Sequence, residues 1–332
     1  DGAAMLIDAL PGRSMLDPFC GGGTTLIEAM VAGRRSVGRD ISPVAVRVAK
    51  ARTTLAPEER LTKMRSRARK LTEAARAATD RPPRDIYQTV EQWYAPHTIW
   101  ELESLRRGIA ESDEDVRSLL EATFSSILVK TSWRKSDTST QREKHHRPAG
   151  TAAILFHKKT RELARRLTAL REAVPEETQR PDIRFSDARK LSIGPPVDLV
   201  LTSPPYPSTY DYILMQHLRS VWFGDVTKRG ERHEIGARRD WRDGSRGAKK
   251  RWVEATNDWT KSAAACLEPG GFMVIVIGDG LMPSGSIDTS GPSEHACRAA
   301  GLESVARASV ERVDHARETT RWEHIFAFRK PR

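Results

Sequence analysis

The chain has 332 residues, 38% of them hydrophobic, with 22 glycines; that is enough apolar material for a real core and too much for wholesale disorder. Its longest uninterrupted apolar run is Phe272–Ile277, far short of the roughly 20 residues a membrane-spanning helix needs. Fifty-five Lys and Arg against 44 Asp and Glu leave a net charge of +11, a surplus that suits a polyanionic partner, the plain alternative being a solvated Arg-rich surface. One large domain with an insertion, or two domains, is expected at this length. No charged-then-apolar leader is visible, and the sequence opens on Asp1 rather than Met, which leaves room for residues upstream. Cys20, Cys266 and Cys297 are too few for a disulfide framework and lack metal-ligand spacing, so a reducing, cytoplasmic setting and no metal are expected.

In chain order, residues 14–19 (Ser-Met-Leu-Asp-Pro-Phe) read as a short buried strand ending at an acid. Gly21-Gly22-Gly23 turn the chain into a helix over 24–30, with Gly33 as its stop. A second strand, Ser36–Arg39, leads to Asp40, and Ser42-Pro43 supply the cap and first position of the next helix. This strand–turn–helix–strand–acid unit opens a doubly wound α/β sheet. From about 51 to 180 the strand signals vanish. Leu61–Ala78, Glu114–Val129 and Leu163–Ala173 carry apolar residues at helical spacing, so the stretch reads as a helical insertion. Strand character returns at Ile183–Phe185 and Val197–Thr202. The stretch 224–251 reads as a loop, followed by a helix over Trp252–Leu267 that stops at Pro269-Gly270-Gly271. A strand over 272–277 and two late strands near Glu303–Val313 and Trp322–Arg329 close the sheet.

Glycines after a first strand let backbone approach a ligand closely, and the helix that follows points free N–H groups at it. An acid ending the second strand accepts hydrogen bonds from ribose hydroxyls, and Asp40 lies 19 residues after Gly21, the right reach. A nicotinamide fingerprint wants glycine where Leu26 stands, so the match to a dinucleotide site is poor. Asp17-Pro18-Phe19-Cys20-Gly21-Gly22-Gly23-Thr24 instead resembles motif I, D-P-F-x-G-x-G-T, of the S-adenosylmethionine-dependent nucleic-acid amino-methyltransferases. The resemblance implies a Rossmann-like class I methyltransferase sheet with a helical insertion between its second and third strands. It implies S-adenosylmethionine held by Asp17, Pro18, Phe19, Gly21, Gly23, Thr24, Asp40 and Ile41. Cys20, inside the turn, reads as a small packing residue.

The most specific segment is Asp198-Leu199-Val200-Leu201-Thr202-Ser203-Pro204-Pro205-Tyr206. Two prolines after an apolar strand end the sheet and stiffen its exit at the carboxyl edge. The segment resembles motif IV of the same family, [DNS]-P-P-[YFW]. There Ser203 Oγ and the Pro204 carbonyl would accept the two protons of an exocyclic amine, aiming the nitrogen lone pair at the methyl group. Pro205 would stiffen the loop and Tyr206 would offer a stacking face to an extruded base. Direct transfer needs proximity and alignment rather than a covalent adduct, and the absence of a Pro-Cys pair disfavours C5-cytosine chemistry. Asp187 and Ala188 fall where the family binds the cofactor's adenine; an acid capping a strand end is the alternative.

Serine at the first position of this segment is typical of cytosine-N4 enzymes, and Asp or Asn of adenine-N6 enzymes. The resemblance therefore implies a site-specific cytosine-N4 DNA methyltransferase, with adenine N6 of DNA or an amine of structured RNA as alternatives. It covers 1–50 and 181–332 as the catalytic domain and leaves 51–180 as the candidate target-recognition region. Trp93-Tyr94…Leu102…Leu105 and Asp211-Tyr212…His217…Arg219…Trp222-Phe223-Gly224 resemble recurrent features of one branch of these methylases. The family carries a further cofactor-binding segment just before motif I. Only Asp1–Leu10 stand there, so part of it is expected to lie outside this sequence.

Between residues 130 and 161 the basic side chains far outnumber the acids, and Thr131-Ser132-Trp133-Arg134-Lys135-Ser136 mixes hydroxyls, an aromatic and cations. Arg134, Lys135, Arg142, Lys144 and Arg147 are the expected DNA contacts, against the reading of a solvated face. Trp241 and Trp252, set among arginines and lysines over 238–251, form a second candidate strip. His145-His146 lack a carboxylate or thiol at ligand spacing. Double-stranded DNA is the expected substrate and a restriction endonuclease the expected further partner, with a monomer or weak dimer and no membrane association.

Overall fold

The computed structural model describes residues 2–136, 138–139, 141–225, 233–241, 245–282, 285–314 and 319–332. The elements begin with α1 (Gly2–Ala9), β1 (Ser14–Asp17), α2 (Thr24–Val31), β2 (Arg35–Asp40) and α3 (Pro43–Arg52). Helices α4 (Glu58–Arg76), α5 (Arg84–Val90), α6 (Pro96–Ala110), α7 (Glu114–Thr131) and α8 (Thr151–Ala173) follow. Strands β3 (Asp182–Phe185) and β4 (Val197–Thr202) precede α9 (Tyr212–Met215), α10 (His217–Phe223) and α11 (Ser245–Ala265). Last come β5 (Leu267–Gly278), β6 (Gly280–Met282), β7 (Gly285–Ile287), α12 (Ser290–Ala299), β8 (Glu303–Asp314) and β9 (Thr319–Arg329). Two compact units result: Asp1–Val46 with Val174–Tyr212 and Gly230–Arg332, and Arg47–Ala173 with Ile213–Arg229. No helix among the described residues is long and apolar enough to cross a membrane.

The first unit holds one seven-stranded sheet in the order β3-β2-β1-β4-β5-β9-β8. Its first five strands are parallel, and β9 and β8 are antiparallel. This is the Rossmann-like class I methyltransferase sheet, with α4–α8 inserted between the second and third strands. Parallel strands covered on both faces read as continuous apolar runs, and Met15, Leu16, Leu199, Val200, Leu201, Met273, Val274 and Ile275 are all buried. Register aligns Asp17 with Gly38 and Asp40 with Phe185, so the carboxyl ends of β1, β2 and β3 open on one edge. Ligands of such sheets bind in the crevice outside that edge.

Two boundaries differ from the sequence expectation. Pro269-Gly270-Gly271, expected as the helix stop, lies inside β5, the helix having already ended at Ala265; the pairing of β4 with β5 absorbs it by shifting register between Val197 and Leu199. A Cβ on Gly271 would come within 2.9 Å of the Asp198 carbonyl oxygen, so only glycine passes there. Residues 245–251, expected as loop, are the first turns of α11. Ala248, Trp252, Ala255, Trp259 and Ala263 line one buried face of that helix, a helical period that the intervening charges mask. Trp241 and Trp252 are accordingly core residues, not members of a nucleic-acid-facing strip.

The second unit is a helical bundle around Leu61, Met64, Leu71, Leu102, Leu105, Phe124 and Phe156. Tyr94 donates to the Leu128 carbonyl at 2.9 Å, and Trp222 packs edge-on against Tyr94 and Phe124 at 6.1 Å. The segments around Trp93 and Trp222 thus meet in the core of this unit. Helix α8 starts twelve residues before the expected Leu163. Buried Glu101 accepts from the Gly150 and Ala153 N–H groups at 2.7 and 3.0 Å, a cap supplied by α6 that no local spacing announces.

Candidate active site

The loop after β1 turns through Gly21 and Gly23, whose φ of +48° and +77° favour glycine. Gly23 precedes α2 and no side chain caps that helix, so its first N–H groups face the turn. The Gly21 N–H donates to Asp40 Oδ2 at 2.9 Å, and the Ser42 N–H to Asp40 Oδ1 at 2.8 Å. Asp40 thereby ties the glycine turn to the end of β2. A carboxylate has about four acceptor positions, so lone pairs remain for a ligand's hydroxyls. Burial pushes Asp40 up to about 6; the backbone donors oppose that shift, and the nearby Asp17 carboxylate adds to it.

Asp17 is buried. Its Oδ1 accepts from the Phe19 N–H at 3.1 Å and from Thr202 Oγ1 at 2.7 Å. Its Oδ2 accepts from Thr25 Oγ1. Burial raises its pKa against these three hydrogen bonds. Asp17 therefore joins the end of β1, the start of α2 and the end of β4, positioning both loops. Phe19 packs edge-on against Trp259 at 5.4 Å. Cys20 is buried, and a Cβ on Gly38 would meet its Sγ at 3.1 Å. Burial and the neighbouring Asp17 and Asp40 carboxylates push its thiol up, which makes it a packing residue and a poor nucleophile.

Asp187 sits in the loop after β3. Its carboxylate accepts from the Arg189 N–H, Nε and Nη2 at 3.0, 2.9 and 2.6 Å. Burial pushes this acid up, but Arg189 outweighs it and holds the carboxyl below its ordinary value. Asp187 is engaged by its own neighbour, and Ala188 is buried. Phe185, whose register partner is Asp40, is 51% exposed. The sequence pattern alone does not single out this exposed aromatic at the site's edge; its place two residues before Asp187 is the available signal.

At the end of β4, Ser203 is exposed and Pro204 buried, with Pro205 and Tyr206 half-buried. Tyr206 lies against β5, where a Cβ on Gly278 would come within 2.6 Å of its ring. Its hydroxyl donates to Glu323 Oε1 on β9 at 2.9 Å, and the Arg321 guanidinium sits 5.8 Å from the ring centroid. Glu323 is also held by Arg312 at 2.7 Å. Ser203 Oγ lies 3.5 Å from the Tyr206 hydroxyl. Burial first, and Glu323 second, push Tyr206 up to about 12 against the Ser203 hydrogen bond, so it remains a neutral phenol. Sequence reading had no signal for Glu323, which is 117 residues from Tyr206.

The basic residues of 130–147 lie in the second unit. Arg134 is buried and donates to the carbonyls of Met215 and Leu214 at 2.5 and 3.1 Å. It braces this unit instead of presenting its guanidinium to a phosphate, which corrects the expectation for it. Lys135, Arg142 and Lys144 are exposed and Arg147 half-buried. Arg142 donates to the Gln92 carbonyl at 2.9 Å, and Lys144 Nζ stands 5.2 Å from the Trp133 ring centroid. Among the described residues no three His, Cys, Asp or Glu are grouped to hold a metal ion.

Residues 2–90 match the family model described as UPF0020, RMKL-like methyltransferase domain. No curated protein matches the sequence significantly. Solved structures similar to it include TrmN from Thermus thermophilus, at 14% identity over 99% of this chain and 47% of that one, with a TM-score of 0.38. This chain thus spans about half of that protein. A S-adenosylmethionine-dependent methyltransferase from Methanosarcina mazei is similar at 9% identity over 98% of this chain and 97% of that one (TM-score 0.39). A putative DNA modification methylase from Thermus thermophilus is similar at 19% identity over 44% of this chain and 51% of that one (TM-score 0.28). With the sheet described above, the family match gives the chain a methyltransferase domain whose cofactor is S-adenosylmethionine.

Proposed function

We propose that this methyltransferase modifies the exocyclic amine of a DNA base, with cytosine N4 as the acceptor. The observation that carries the reading is the exposed Ser203 at the carboxyl end of β4, fixed to the glycine turn of β1 through Thr202 and Asp17. The glycine turn fits the cofactor: positive-φ glycines admit close approach, and Asp40 keeps acceptor capacity for ribose hydroxyls. Phe185 and Ile41 offer apolar surface beside it. Bound there, S-adenosylmethionine supplies an electrophilic methyl group.

The hydrogen-bond directions at Ser203 suit an amine. The Glu323 carboxylate only accepts, so Tyr206 donates to it. Toward Ser203, Tyr206 is left as an acceptor, and the Ser203 hydroxyl donates to it. Both lone pairs of Ser203 Oγ then remain for the amine, which has two protons to give, the second going to the Pro204 carbonyl. The amine's lone pair is thereby aimed and the reaction proceeds by direct transfer. Ser203, Tyr206 and Glu323 also offer the proton the nitrogen sheds a route to a carboxylate. Tyr206 acts here as a positioning residue, since its ring is seated on β5 and its hydroxyl is tethered.

The experiment is incubation with labelled cofactor and either DNA or RNA, followed by mass spectrometry of the digested nucleosides. N4-methylcytosine in DNA is expected. N6-methyladenine alone would move the acceptor to adenine, and label confined to RNA would overturn the DNA assignment.

A further inference from the structure

Strand β8 ends the sheet and is twelve residues long, about twice the usual strand. An edge of that length presents a row of backbone N–H and C=O groups to any other strand; natural edges are commonly blunted by short length, Pro, bulges or charged side chains, and here the irregularity between Ser304 and Ala306 and the charges of Arg307, Glu311 and Arg312 restrict the edge to a partner that can pair those charges. Residues 303–314, Glu-Ser-Val-Ala-Arg-Ala-Ser-Val-Glu-Arg-Val-Asp, contain neither Lys nor Pro. Val305, Val310 and Val313 are 55%, 53% and 57% exposed, and Trp322 on the neighbouring β9 is 48% exposed.

The order of side chains says what fits this edge. An antiparallel pair of identical strands has a two-fold axis normal to the sheet, so a residue faces one of the same face in the other copy. With the axis through Ser309, Arg307 of each copy stands opposite Glu311 of the other, while the register irregularity between Ser304 and Ala306 takes Val305 out of the alternation. On the other face Ala308 meets Val310, and Ala306 meets Arg312. On the face shared by Arg307, Ser309 and Glu311, the cross-strand pairs are then opposite charges or serine with serine. Moving the axis to Ala308 sets Arg307 against Ser309, and moving it to Val310 sets Arg307 against Val313 and Glu311 against Ser309. Of these three registers, only the one about Ser309 sets opposite charges together.

We propose that β8 is a self-association surface on which a second copy of this chain adds edge to edge, antiparallel, about an axis through Ser309. Arg307, which also meets Glu294 at 3.1 Å, is half exposed and has reach to spare. The inference stands independently of the active-site reading.

Sedimentation velocity of the full chain across a wide concentration range tests it. Reversible self-association is expected for the parent protein. Arg307→Glu and Glu311→Arg should each weaken it by about tenfold, since each sets two like-charge pairs across the axis. Mixed together, the two variants restore both opposite-charge pairs and should associate at the parent level. Should either fail to fold, the double swap of Arg307→Glu with Glu311→Arg carries the same test: it pairs with itself and rejects the parent chain. A parent protein that stays a single copy at every concentration would overturn the proposal. So would a mixture no tighter than its components, or a double swap that pairs freely with the parent.

Discussion

At the end of β1 the loop is held by carboxylates that accept from backbone N–H groups nearby in the chain, Gly21 to Asp40 and Phe19 to Asp17. At the end of β4 the loop is held by side chains, Ser203 to Tyr206 and Tyr206 to Glu323 on the far strand β9. In the first arrangement the side chains between acid and glycine, Phe19 and Cys20, serve packing and make none of these hydrogen bonds. The second depends on three hydroxyl and carboxyl groups in series and on a glycine, Gly278, that makes room for the Tyr206 ring. A cofactor cradle of backbone donors is rigid by construction. A substrate-orienting serine set by tethered neighbours is open to tuning, and the two should respond differently to substitution.

Asp17 spans both arrangements, so its loss should be largest. Asp17→Ala leaves Thr25 and Thr202 without their acceptor in a buried place, and a loss of about 2–4 kcal/mol of stability is expected. Denaturant unfolding of parent and variant measures it. An unchanged midpoint would mean the two loops are held independently.

The next effect separates the halves. Asp40→Ala should weaken S-adenosylmethionine binding by about 1–3 kcal/mol, the scale of hydrogen bonds to a charged acceptor. The pH dependence has a definite sign. Asp40 is pushed up to about 6 by burial, so its carboxylate is formed above that pH and lost as pH falls through it. Cofactor affinity should be level above pH 6 and decline below it. Asp40's own contribution to the stability of the free fold runs the opposite way. The folded form holds the proton more tightly than the unfolded chain, so that contribution is lost as pH rises through about 6. Calorimetric titration of the parent and of Asp40→Asn tests the affinity arm, and a variant that keeps the decline below pH 6 would remove Asp40 from the site.

On the β4 side, Tyr206→Phe removes the group that fixes the Ser203 hydroxyl and leaves Glu323 to Arg312. About a tenfold fall in turnover is expected, the worth of roughly one oriented hydrogen bond, with cofactor affinity unchanged. Glu323→Gln keeps an acceptor for Tyr206 and should cost less. If both variants bind cofactor more weakly, the halves are coupled more tightly than the hydrogen bonds imply.

The same contrast explains what could be read from the sequence. Strands β1, β2 and β4, the glycine turn and Asp40 are local patterns, and each stands where spacing places it. Glu323 is not local to Tyr206, and neither is Glu101 to the start of α8. Charge and aromatic character say that a residue is polar or flat, not which way it faces. Trp252 among its arginines looked like a binding strip and is core. Arg134 beside Lys135 looked like a phosphate ligand and is bonded to two carbonyls.

That last pair gives the smallest expected effect and a clean separation. Lys135 and Lys144 are exposed, and reversing both to Glu should leave folding intact, weaken DNA binding at every sequence, and flatten its salt dependence by about one unit of log–log slope for each phosphate no longer neutralised. Arg134 is buried, so Arg134→Glu should act through the fold, lowering the unfolding midpoint because a carboxylate would face the Leu214 and Met215 carbonyls. Binding isotherms at several salt concentrations, run beside thermal melts, distinguish the two. An unchanged slope in the double lysine variant would make this strip a solvated face, and an unchanged melt in Arg134→Glu would return that arginine to the phosphate-facing surface.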